Sequence, residues 1–142
     1  MPKRVLLVFL GGFLGTLVRY GVEAIEDNYI TGPFSTAGTV TVNICSCCLA
    51  GFVACVFINK NLKAFLITGF CGGFSTLSAV NEEVMKIGVG NSTLIALAYL
   101  IFVLFISLAA CRLGDLLGLA FLRIKNRIKP IDSIEDKIEE EE

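Results

Sequence analysis

The 142-residue chain contains no histidine and little charge: 18% of its residues are Asp, Glu, Lys or Arg, against 55% apolar. The scarcity of charge excludes an ordinary soluble domain, because a chain of this length cannot bury so much apolar surface. A mean hydropathy of +0.77 points to a membrane protein. No alternation of apolar and polar residues recurs at period two, which argues against a transmembrane barrel. The missing histidine bears on the six cysteines, at 45, 47, 48, 55, 71 and 111. Cysteines one or two apart on a helix, as in CSCC, do not converge on one ion, and no imidazole is present to complete a ligand set. They read as small packing residues, and their place inside apolar segments argues against a disulfide framework. The formal net charge of −1 identifies no partner, and no nucleic acid is expected.

What is present is four hydrophobic segments, at about 5–22, 37–58, 64–87 and 93–122. Each is long enough to cross a bilayer core, which takes about 20 helical residues. The first follows Lys3 and Arg4, as a signal peptide would, but it runs into GTLVRYG without a cleavage site and reads as a retained helix. Short connections predict one tight bundle. The fold class is therefore an all-α membrane protein with four transmembrane helices over 1–122. A charged cytoplasmic tail over 123–142, RIKNRIKPIDSIEDKIEEEE, is expected to be solvated and poorly ordered beyond Pro130.

Charge placement sets the orientation. Four spans put both termini on one side, with Lys3, Arg4, Lys60, Lys63, Arg123, Lys125, Arg127, Lys129 and Lys137; leaving aside Arg19 and Arg112 within the spans, the other side has only Lys86 near it, beside Glu23, Glu26 and Asp27. Basic residues favour the cytoplasm, so a multi-pass plasma-membrane protein with both termini cytoplasmic is expected.

Polar residues inside the spans are costly and therefore informative. Gly11 and Gly15 share a face at the spacing that permits close helix contact, and Arg19 lies one turn further along. Arg19 reads either as a helix-end arginine reaching to the interface or as part of an electropositive vestibule. Thr39 and Asn43 share a face of the second span, with Ser46 and Cys47 on nearly the same stripe. The amide of Asn43 must find a partner or a wet cavity, so it reads as a helix–helix anchor or as an ion ligand. In the third span GFCGGFSTLSAV, with Gly69, Gly72, Gly73, Ser75, Thr76 and Ser78, suits a helix that unwinds in mid-membrane. Such backbone survives there only if buried in protein or lining water. Its carbonyls can ligate a cation such as sodium, and the following half-helix presents N–H donors. Asn81, Glu82 and Glu83 lie beyond it. The fourth span sets Tyr99, Val103, Ser107 and Cys111 at four-residue spacing, as an ion track or a packing stripe.

GGFLGTLVRYG, then GTVTVN, then TGFCGGFSTLS, on a four-span chain of this length, resemble the CrcB/Fluc fluoride channels, from Gly11 to about Cys111. The resemblance implies an antiparallel dimer with two ion pathways, each lined by both subunits. It implies that Asn43 is the pore asparagine, Arg19 the first-span arginine, Ser107 a pore-facing hydroxyl, Tyr99 a tyrosine at one end of that face and Glu83 a third-span glutamate. Thr39 and Ser78 join the expected fluoride pathway. The backbone carbonyls of Gly72 and Ser75 match those that hold a structural sodium ion at the dimer interface, with serine in place of the usual threonine. Two pore phenylalanines of the family are replaced here by Leu77 and Val80, and Val103 stands where a second hydroxyl is usual. Leucine and valine lack the electropositive ring edge that a phenylalanine offers an anion.

The implied function is a passive channel subunit, not an enzyme, that exports fluoride from the cytoplasm and protects against its toxicity. An antiparallel homodimer requires one sequence to insert both ways, which a bias of nine basic residues to one opposes. The expected partner is therefore a homologous, oppositely oriented subunit in the lipid bilayer, giving a heterodimer, with a homodimer as the alternative. Two alternatives stand beside this reading. One is a non-conducting structural partner subunit. The other is a small four-span proton-coupled exporter, for which Glu82 and Glu83 are the candidate carboxylates.

Overall fold

The structure is a computed structural model that describes residues 3–29, 37–90 and 92–139. Among these, four segments are long and apolar enough to cross a membrane: Lys3–Ile25, Ala37–Val56, Lys60–Gly90 and Thr93–Asn126. The first helix runs over Lys3–Tyr29 and the second over Ala37–Val56. The second has 20 residues, about 30 Å at the α-helical rise and so the thickness of the hydrocarbon core. Asn59, in extended backbone, starts the third span by accepting the amides of Asn61 at 2.9 Å and Leu62 at 3.4 Å. Ser92 starts the fourth helix, Thr93–Glu139, with its hydroxyl on the Leu94 amide and its carbonyl on that of Ala96.

The third span is built in pieces. Lys60–Lys63 is α-helical, Ala64–Cys71 is wound as a π-helix and Gly72–Phe74 returns to α geometry. Ser75 then turns to extended backbone (φ −72°, ψ 157°), and a second limb restarts at Leu77–Gly90. Adjacent glycines hold a helix poorly, and serine and threonine compete for backbone hydrogen bonds, so the interruption falls where the sequence is weakest. The hydroxyl of Thr76 accepts the Ala79 amide at 3.2 Å and caps the second limb.

Two seams hold the bundle, both made by glycine. The first helix packs on the first limb of the third span. There a methyl added at Gly11 would overlap the Phe65 carbonyl, and one at Gly15 that of Phe70. The second helix packs on the fourth, where a methyl at Gly114 would overlap the Cys48 carbonyl and one at Gly51 that of Cys111. Lipid supplies no hydrophobic drive between helices, so such close backbone contact is what associates them. The Gly11/Gly15 face read from the sequence is the first of these seams. Among the described residues the buried apolar side chains are few, led by Val42, Val53 and Val80, while large apolar residues such as Phe9, Phe102 and Phe105 are exposed, as a membrane solvent allows. The fourth helix continues through Pro130 to Glu139, past the point where composition places a disordered tail; lysine, arginine and glutamate are strong helix formers.

Candidate ion-binding site at the break of the third span

An interrupted helix frees backbone groups, and here the second helix takes up several of them. The amide of Thr76 donates to Asn43 Oδ1 at 3.0 Å. Asn43 Nδ2 in turn donates to the Thr76 carbonyl at 3.0 Å and to the Thr39 carbonyl at 2.8 Å. The orientation of the amide follows from these partners, because one end faces an N–H and the other two carbonyls. One turn along, the buried Ser46 hydroxyl donates to the Cys71 carbonyl at 2.8 Å. That carbonyl also accepts the Ser75 amide at 2.9 Å. From the first helix Thr16 donates to the Gly73 carbonyl at 3.4 Å.

These bonds engage the carbonyls of Cys71, Gly73 and Thr76, and none of them reaches those of Gly72 or Ser75. Gly72 is exposed, and a methyl added there would meet only the Ile67 carbonyl, at 3.9 Å. Backbone carbonyls are the ligand type that a hard cation such as sodium takes; Ser75 itself is half-buried. Among the described residues no group of three or more His, Cys, Asp or Glu side chains is arranged to hold a metal ion.

The other expected pathway residues fall into separate places. Thr39 is buried, and its carbonyl belongs to the Asn43 network. Ser78 is exposed, its hydroxyl 3.1 Å from that of Thr76. Leu77 is 60% exposed, whereas Val80 is 1% exposed. The two positions that carry phenylalanine in the resembling family thus point differently, one outward and one into the subunit. Val103 is buried as well. Ser107 is half-buried. Tyr99 donates its hydroxyl to Glu83 Oε2, joining the second limb to the fourth helix. Glu82 is exposed and paired with Lys86 at 2.8 Å. Arg19 lies 3.6 Å from Glu23 on its own helix, with its Nε buried and without a hydrogen bond. Sequence reasoning missed the bond from Ser46 and the pairing of Arg19 with Glu23. The i,i+4 spacing of Arg19 and Glu23 was the available signal for the latter.

Four apolar spans, the third interrupted and its freed backbone taken up by the second helix, define a class: small multi-pass membrane proteins with non-helical backbone inside the membrane. More particularly, the chain belongs to the CrcB-like family. The family model described as "CrcB-like protein, Camphor Resistance (CrcB)" matches residues 6–115. Relatives named "Fluoride-specific ion channel FluC" include that of Flavobacterium psychrophilum, 36% identical over 79% of this chain and 94% of the relative. That of Paracoccus denitrificans is 35% identical over 83% of this chain and 96% of the relative. That of Gloeothece citriformis is 39% identical over 78% and 92%, respectively.

Proposed function

We propose that the protein is a subunit of a fluoride-selective passive channel that exports fluoride from the cytoplasm across the plasma membrane. The observation that carries this reading is the Asn43 amide, held inside the membrane at a helix break with both of its N–H donors engaged by carbonyls. The naming of its relatives as fluoride-specific channels agrees with it. Hydrogen fluoride crosses membranes as a neutral weak acid and dissociates in the less acidic cytoplasm, so fluoride accumulates there. A pore lets the ion leave down its electrochemical gradient, aided by an inside-negative potential, and no chemical step is needed.

Fluoride is small and strongly hydrated, so the pore must replace water with concentrated donors. Asn43, Ser107 and the N–H donors of the broken helix supply them, with Thr39, Ser78, Leu77, Val80 and Tyr99, its hydroxyl given to Glu83, along the path and Arg19 and Glu83 toward its ends. To bind at Asn43 the ion takes an N–H now given to a carbonyl. Release from Thr39 costs less than release from Thr76, because the Thr39 carbonyl keeps its own helical bond. The functional unit is an antiparallel dimer, with a sodium ion at its interface held by the Gly72 and Ser75 carbonyls of each subunit. The bias of nine basic residues to one gives this chain a single orientation, with both termini cytoplasmic, so its partner is a homologous subunit inserted the other way.

A second reading is that this subunit completes the dimer without conducting, which the inward turn of Val80 favours. Fluoride-sensitive cells expressing this chain alone, the homologue alone, or both test these readings. Resistance from the pair that is lost on changing Asn43 in this chain supports the channel reading. Full resistance from this chain alone removes the heterodimer. Resistance from the pair that survives loss of Asn43 makes this a non-conducting partner.

A further inference from the structure

The second helix grips the third span on both sides of its break, and each grip has a directional consequence. In a trans peptide the C=O and N–H of one plane point opposite ways. The Thr76 amide shares its plane with the Ser75 carbonyl. By drawing that amide to its Oδ1 at 3.0 Å, Asn43 turns the Ser75 carbonyl away from the second helix. On the other side, Ser46 draws the Cys71 carbonyl toward the second helix at 2.8 Å. That carbonyl already accepts the Ser75 amide, so the serine bond is not needed to satisfy it. Its effect is to fix the Cys71–Gly72 plane against a rigid helix, one residue before the Gly72 carbonyl.

We propose that Ser46 and Asn43 form a two-point clamp that aims the Gly72 and Ser75 carbonyls at a shared cation. Ser46 is a positioning residue, touching neither ion, and Asn43 joins the anion path and the cation site in one hydrogen-bonded unit. The inference rests on the interface-sodium reading given under the proposed function and deepens it: affinity for the cation is set by side chains of the second helix. Ser46 is 2% exposed, so solvent cannot substitute for its hydroxyl.

The test is a sodium titration of subunit exchange in the purified, detergent-solubilised dimer, for the unaltered protein and for Ser46→Ala. Thermal melting at saturating sodium serves as the fold control. One hydrogen bond of ordinary net worth predicts a rise of about three- to tenfold in the sodium midpoint, with melting at saturating sodium close to the original. If Ser46→Ala does not accumulate, Ser46→Cys, which keeps a weaker donor, gives a smaller rise in the same direction. An unchanged midpoint in a variant that lacks the hydroxyl overturns the clamp while leaving the cation site standing. Exchange that ignores sodium in the unaltered protein overturns both.

Discussion

Adjacent glycines at the break make opposite predictions when each is changed to alanine. A methyl at Gly73 would overlap the Gly12 carbonyl and sit 2.9 Å from the Gly12 Cα, both backbone atoms that cannot swing aside. A methyl at Gly72 would have only the Ile67 carbonyl near it, at 3.9 Å. Overpacking costs about 1–3 kcal/mol, while alanine in a helix gains about 1 kcal/mol over glycine. Gly73→Ala therefore lowers the stability of the subunit itself by up to about 2 kcal/mol, by forcing the first and third spans apart. Gly72→Ala leaves the subunit fold as stable as before, or slightly more so. If the exposed face of Gly72 is where a second subunit and a cation meet, the same change weakens the dimer and its dependence on sodium. Circular-dichroism melting in detergent reads the first effect, and subunit exchange with and without sodium reads the second. Equal loss of subunit stability in both variants would refute the packing argument. A Gly72→Ala dimer that assembles and conducts as before would refute the placing of the interface there.

Three further outcomes follow from the contacts described. Asn43→Ala abolishes fluoride flux and lowers stability by about 2–4 kcal/mol in detergent melting, since two backbone groups of Thr76 lose their partner. Gly114→Ala overlaps the Cys48 carbonyl and destabilises the second seam by about 1–3 kcal/mol; Gly21→Ala, with nothing within 4 Å of the added methyl, is neutral or better. A double-mutant cycle between Tyr99→Phe and Glu83→Gln yields a coupling of about 1.5–3 kcal/mol by melting, the value of a hydrogen bond to a carboxylate.

The fold was legible because the bilayer imposes strong rules. Four apolar runs, the Gly11/Gly15 face and the glycine–serine–threonine cluster each have one physical meaning at membrane depth, and the break falls where GGFST predicts it. Its fine structure was not legible. Whether Asn43 anchors a helix or meets an ion depends on what lies across from it, and only the tertiary arrangement brings the Thr76 backbone there. Spacing put Ser46 near the same stripe, yet nothing in it could show that its hydroxyl reaches Cys71. The inward turn of Val80 and the outward turn of Leu77 depend on where Ser75 leaves the helix. On the proposed dimer, one chain carries only indirect marks of its partner: an exposed Gly72 and a lopsided distribution of basic residues.

The most direct measurement is anion efflux from liposomes containing this chain together with the proposed homologous partner, followed with fluoride and with chloride as the enclosed ion. Rapid fluoride release, chloride retained, and loss of the fluoride signal on Asn43→Ala is the predicted result. Liposomes that hold both ions, or that release chloride as readily as fluoride, would contradict a fluoride-selective pore built around Asn43.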